Sequence, residues 1–193
     1  MAGVGLSKCY AAKYAASGGA VSYSDGALIG KAVEFSTSID TPDDNNLYAD
    51  NAIAESDTSF AGGTLTISTD DMEQTAAALI LGITPTTVSV GDNSVSELIY
   101  DDDAASPDLG YGTIVKKKVG GVYKYRAVVL TKIKFNVPED SATTQGDAIE
   151  WQTPSLTAQI MRDDSTKHAW KREATLPTEA EAEAYIKQVL NIV

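Results

Sequence analysis

The chain is poor in the residues that most often carry out chemistry. Among its 193 residues there is one cysteine, Cys9, and one histidine, His168. A single cysteine excludes an internal disulfide, and a single histidine excludes metal sites built from several imidazoles. Glycine-rich nucleotide-binding loops and a nucleophile elbow are also missing. We therefore expect no enzyme, no cofactor and no metal site. No apolar run approaches about 18 residues, so we expect no membrane span.

The few candidates for chemistry each have a simpler interpretation. Cys9 has no evident base beside it in the sequence, which favours a packing thiol over a nucleophile. His168 is one candidate acid–base imidazole, and a hydrolase would depend on it, but we interpret it as a strand residue beside Trp170. Asp101-Asp102-Asp103 lacks the spaced ligands and the glycine of a calcium loop, so a solvated charge run is the better interpretation.

Basic residues are absent from a long stretch of the chain. Residues 32–115 contain sixteen acidic residues and neither lysine nor arginine, whereas Lys116, Lys117 and Lys118 follow at once. Solubility is the simplest explanation of this charge on its own. The alternatives are a surface that repels phosphate and an acidic surface that meets the basic part of a neighbouring copy. Direct binding of nucleic acid is disfavoured, since it usually needs a basic footprint.

The strongest pattern is an alternation of period two over residues 121–161, typical of strands with one buried face. The column expected to be buried is Tyr125, Ala127, Val129, Thr131, Ile133, Phe135 and Val137. A polar link, residues 138–147, separates this run from a second β-rich run over 148–161. The two runs predict a broad antiparallel hairpin at the centre of the fold.

Two helices are expected beside these strands. The first follows a strand over 62–68, with capping-box spacing between Asp70 and Glu73 and Gly82 as its C-terminal cap. The second spans about 179–190, because Thr178 and Glu181 also have capping-box spacing and an apolar stripe follows. The predicted fold is a single domain over residues 1–193. It is mainly β, sandwich-like or barrel-like, with one flanking helix and one C-terminal helix.

A polar passage over residues 37–63 is too long for an ordinary connection, and such loops are usually functional. Leu47, Tyr48 and Ile53 place apolar side chains in its middle. Either the passage tucks these side chains back onto its own domain, or it is an arm that buries them on another subunit.

Several segments taken in order resemble one known family. These segments are Leu47-Tyr48-Ala49-Asp50-Asn51, 62–67, 78–82, Gly110-Tyr111-Gly112, 125–135 and 146–154. In this order they resemble the major tail proteins of long-tailed bacteriophages, in the group often labelled phi13-type. The similarity covers about residues 4–171, and the segments LYADN and GDAIEWQTP are its most specific parts.

The resemblance implies a structural virion protein of the tail, assembled in the cytoplasm of the host bacterium. Such subunits form stacked hexameric rings, and the resulting tube holds the tape-measure protein, meets other tail proteins, and lets DNA pass without specific binding. The residues expected at the subunit interface are Leu47, Tyr48, Ala49, Asp50, Asn51 and Ile53. The candidate acids for the lumen or the interface are Asp43, Asp44, Asp50, Glu55 and Asp57.

A module that binds carbohydrate or a receptor at a surface is the alternative function. Its candidate contacts are the aromatic side chains of Tyr48, Tyr100, Tyr111 and Trp151, which could stack on sugars. Packing in a core or an interface explains the same residues more simply.

Overall fold

The computed structural model describes residues 2–42, 46–56, 58–102, 104–138, 143–144 and 152–193. The strands are β1 Ala2–Ser17, β2 Ala20–Gly30, β3 Ala32–Asp40, β4 Asn46–Ala49, β5 Ala52–Ser56, β6 Gly62–Thr69, β7 Thr86–Val90, β8 Asn93–Glu97, β9 Leu109–Val119, β10 Val122–Phe135, β11 Ser155–Met161 and β12 Lys171–Leu176. The helices are α1 Gln74–Leu81 and α2 Glu179–Val189. The predicted class, mainly β with one helix within the chain and one at its C-terminal end, is confirmed.

Eight strands form one antiparallel sheet in the order β2-β1-β9-β10-β11-β6-β3, with β12 as the eighth. Strands β11 and β12 share one edge of β10, because β11 pairs with residues 132–135 and β12 with residues 125–130. In the part of the chain that is described, no ladder joins the outer strands β2 and β3. The sheet is therefore open, and the barrel-like form of the prediction lacks the closure of a barrel.

Apolar side chains pack in two clusters. The larger cluster lies between the sheet and α1 and includes Ile29, Leu65, Ile80, Leu109 and Ile133. The smaller cluster lies under α2 and includes Tyr10, Ala127, Val129, Ile186 and Leu190. Each fully buried Leu or Ile contributes about 1.5–3 kcal/mol, an upper estimate because the unfolded chain is itself partly compact.

The predicted central hairpin is only partly present. Strand β11 pairs with no more than the end of β10, and residues 145–151 of its predicted first half lie outside the described residues. The predicted column along β10 also does not face one side. Ala127 and Val129 pack under α2, whereas Ile133 and Phe135 lie in the larger cluster. The register of β10 against β9 shifts between Leu130 and Ile133, and such an irregularity exchanges the two faces of a strand.

The first helix begins later than predicted. Its N-cap is Glu73, which makes no capping hydrogen bond from its side chain, so the predicted capping box is wrong. The Asp70 carboxylate instead accepts hydrogen bonds from the backbone N–H groups of Lys31 and Asp71. The C-terminal prediction is confirmed, because Gly82 ends the helix with a φ of 70°. A left-handed residue at this position is usually glycine.

The second helix follows its prediction closely. The Thr178 hydroxyl accepts a hydrogen bond from the Glu181 backbone N–H, and the Glu181 carboxylate accepts one from the Thr178 N–H. The helix packs closely on β9 because two glycines face it. A Cβ added to Gly112 would lie 2.4 Å from Ile186 Cγ2, and one added to Gly110 would lie 2.6 Å from Leu190 Cδ2. Neither helix of the described chain is long and apolar enough to cross a membrane.

Candidate assembly interface

The polar passage is shorter than the sequence predicts, and it is partly ordered as strands. Residues 37–40 belong to β3 and residues 62–63 to β6, because these two strands remain paired as far as Asp40 and Gly62. The arm that leaves the sheet therefore spans residues 41–61. It contains β4 and β5, which among the described residues pair only with each other, in a two-stranded sheet. The structure thus replaces the predicted loop with a hairpin.

The tip of the arm is a two-residue turn. Ala49 pairs with Ala52, and Asp50 and Asn51 between them have φ values of 50° and 62°. Two consecutive positive φ angles are typical of the type I′ turn, which matches the twist of a hairpin. Asp and Asn tolerate this conformation better than other residues with a side chain. The segment LYADN, part of the family resemblance, therefore folds as one strand of the hairpin and its turn.

The apolar side chains of the arm face solvent. Tyr48 and Ile53 lie opposite each other across the hairpin and are 66% and 57% exposed, and Leu47 is exposed to a similar extent. These three side chains are not tucked back onto their own domain, which was one of the two interpretations of the sequence. An isolated two-stranded hairpin is only marginally stable in water, so contact with another surface would stabilise it.

The remaining predicted residues of the arm are also exposed where they are described. Ala49, Asp50, Asn51 and Glu55 lie at the surface. Asp43, Asp44 and Asp57 lie outside the described residues. A role for any of these acids in a lumen or an interface stays a prediction.

The alternative sugar-binding set is not one surface. Tyr111 is fully buried, stacks on Phe35 with ring centroids 6.1 Å apart, and places its hydroxyl 3.2 Å from Cys9 Sγ. Its assignment as a sugar contact is therefore wrong. Tyr48 and Tyr100 are exposed, and Trp151 lies outside the described residues.

The residues considered for chemistry lie apart from one another. Cys9 is buried, and this burial raises the pKa of its thiol. His168 lies in a turn before β12, not in a strand as predicted, with a φ of 48° and its ring Nδ1 3.3 Å from the Asp163 carbonyl oxygen. The described chain contains no group of three or more His, Cys, Asp or Glu residues that could hold a metal ion.

Two further features are not evident from local sequence patterns. The first is the apolar face of the β7–β8 hairpin, which is exposed to solvent. The second is the pair Gly110 and Gly112, whose spacing of two places both on the strand face toward α2. The turn at Asp50-Asn51 carried a usable signal, since Asp and Asn between apolar segments favour a hairpin.

A scan against models of protein families finds no match, and a search of curated proteins also finds none.

Proposed function

We propose that this protein is a structural subunit that assembles with copies of itself. In the specific form suggested by the family resemblance, the copies form hexameric rings stacked into the tail tube of a bacteriophage. The tube would hold the tape-measure protein during assembly and let DNA pass during ejection. Its place would be the virion tail, after assembly in the host cytoplasm.

The observation that carries the proposal is the exposure of Leu47, Tyr48 and Ile53 on the arm. An exposed apolar hairpin that projects from a domain is typical of a segment that reaches a partner. A second copy is a suitable partner, because a ring requires a surface on one copy that fits a different surface on the next.

The open sheet gives further support. In the described parts of the chain, strand β3 has a paired neighbour, β6, along one edge only, and Val33 on β3 is exposed. A cleft of about 400 Å³ separates this strand from β1, β9 and β10, and Gly5, Leu6 and Phe35 are among its lining residues. Unpaired edges of sheets are normally blocked or covered in soluble proteins. In the assembly, a neighbouring copy would cover the free edge of β3.

The charge distribution is compatible with passage of DNA. Lysine and arginine contacts to phosphate hold DNA in most complexes, and residues 32–115 contain neither residue. An acidic lumen would repel phosphate, and DNA would therefore move through it without specific binding.

Electron microscopy of the purified protein tests the proposal. We expect concentrated wild-type protein to form rings or tubes in negative stain. Tyr48→Asp, or deletion of residues 43–54, should leave the fold intact and prevent polymerisation. The substitution places a charge within the exposed apolar surface of the arm, and the deletion removes that surface. The matched control is Leu28→Asp, which changes an exposed apolar residue of β2. A wild-type protein that stays monomeric in all conditions would overturn the proposal. Unchanged tube formation by Tyr48→Asp would show that the arm is not the contact between copies.

A further inference from the structure

A second hairpin, formed by β7 and β8, has an apolar face that the described residues of its own chain leave uncovered. Val88 pairs with Val95 and Val90 pairs with Asn93, so the three valines lie on one face. All three are exposed, and Val90 is the most exposed at 60%. Among the described residues, the two strands form a sheet only with each other. We call these three residues the valine face.

The far end of β9 and β10 also exposes two valines, here beside two lysines. Val119 pairs with Val122 and Lys117 pairs with Lys124, so these four side chains share one face of the hairpin. Both valines are exposed, as is Lys124. Neither lysine forms an ion pair within the described part of the chain. We call these four residues the lysine end.

The surroundings of the two surfaces carry opposite charges. Asp92 lies at the turn next to the valine face and Glu97 at the end of β8, and both are exposed. On the other hairpin, Lys116 and Lys118 lie on the opposite face, with their Nζ atoms 4.4 and 5.5 Å from the centroid of the Tyr123 ring. Two apolar patches flanked by opposite charges fit the general pattern of a complementary interface.

Within one chain the two surfaces are separated along β9. The base of the β7–β8 hairpin lies near the start of β9, since Gly82 beside it approaches the Ala105 carbonyl and Pro107. The lysine end lies at the other end of β9, ten residues away, which is about 33 Å along a strand. The β7–β8 hairpin has five residues in each strand and spans about 17 Å. Its strands are therefore about half as long as that distance, which favours contact with another copy.

We propose that the valine face of one copy docks on the lysine end of the next copy. The contact is heterologous, because it joins two different surfaces, and it therefore builds a head-to-tail series. This inference rests on the proposed function, because it assumes that copies of the chain associate. It adds to that function a second contact between copies, which does not involve the arm.

Charge exchange between the two surfaces tests the proposal. One variant is Lys117→Glu with Lys124→Glu, and the other is Asp92→Lys with Glu97→Lys. Light scattering gives the protein concentration at which half of the chains are assembled. Each variant alone should need about a tenfold higher concentration, since each lost pair of exposed charges weakens contact modestly and like charges then repel. An equimolar mixture should recover assembly, because the reversed lysine end of one variant then faces the reversed valine face of the other.

The control for net charge is Lys134→Glu with Lys167→Glu, which makes the same change in net charge as the Lys117→Glu and Lys124→Glu variant, at residues outside both surfaces. This control should assemble like the wild type. If both reversed variants assemble at the wild-type concentration, or if mixing them restores nothing, the proposed contact is wrong.

Disulfide trapping separates this proposal from the proposed function. Val95→Cys and Val122→Cys chains are mixed and oxidised with oxidised glutathione, while the native Cys9 is buried and should not compete. We expect the mixed disulfide dimer at several times the yield of a Val4→Cys and Val122→Cys mixture.

If this dimer forms while the wild type never makes rings or tubes, the proposed contact is supported and the proposed tail-tube function is wrong. If the yield does not exceed the control, the contact is overturned whatever the wild type assembles into. If an oligonucleotide binds the lysine end and blocks trapping at physiological salt, the partner is a polyanion and the proposal is also overturned.

Discussion

Replacing both Tyr48 and Ile53 by alanine should raise the concentration needed for assembly and leave the fold unchanged. The two side chains are opposite each other on the arm and mostly exposed. A tyrosine buries about 150–250 Å² when fully covered, so its exposed part offers roughly 100–150 Å² to a partner. With the smaller exposed area of Ile53 added, and the part that alanine retains subtracted, the loss is about 2–3 kcal/mol per arm. That loss corresponds to about a 30- to 140-fold rise in the half-assembly concentration.

The assay is light scattering or sedimentation across a dilution series, with thermal unfolding measured on the same samples. The arm lies outside the eight-stranded sheet, so global stability should change by less than about 0.5 kcal/mol. Within the hairpin, the lost cross-strand pair contributes about 0.2–1 kcal/mol, which is too little to produce the predicted shift. Leu28→Ala serves as the control and should assemble normally. An unchanged half-assembly concentration for the double variant would refute the reasoning.

Three further predictions concern the fold on which these surfaces depend. Gly112→Ala should lower the free energy of unfolding by about 1–3 kcal/mol in a denaturant titration, because its Cβ would overlap Ile186. Glu183→Gln should lower the thermal midpoint at pH 7. The hydrogen bond that Tyr10 donates to Glu183 lowers the pKa of this carboxyl group from its usual 4.5, and a weaker effect of the same sign comes from Lys187. A carboxyl group whose pKa is lower in the folded than in the unfolded protein stabilises the fold at pH values above its unfolded pKa. The difference in thermal midpoint between Glu183→Gln and the wild type should therefore vanish as the pH falls well below 4.5. The Cys9 thiol should react with a thiol reagent only on unfolding, since it is buried and its pKa is raised.

Local signals in the sequence predicted the start of the second helix, the end of the first helix and the class of the fold. The capping box of Thr178 and Glu181 and the glycine cap of α1 depend on residues that are neighbours in the chain. The capping box predicted at Asp70 failed because Asp70 instead binds the backbone of Lys31, which is 39 positions away. Spacing within the sequence does not reveal a competing partner at that distance.

The faces of β10 could not be predicted from alternation alone. The side of the sheet that receives Ala127 or Ile133 depends on where α2 packs and on a shift in register at Leu130. Both depend on contacts between distant parts of the chain, and period two describes one strand only. The exposure of the arm residues likewise depends on the tertiary structure, so the sequence left both interpretations of Tyr48 open.

Hydrogen exchange of the arm, compared between dissociated chains and assembled particles, tests the central claim most directly. In dissociated chains the amides of residues 46–56 should exchange quickly, because a two-stranded hairpin opens readily. In assembled particles the same amides should be strongly protected, since another copy covers Leu47, Tyr48 and Ile53. Equally fast exchange in both states would show that the arm binds no neighbour and would contradict the account.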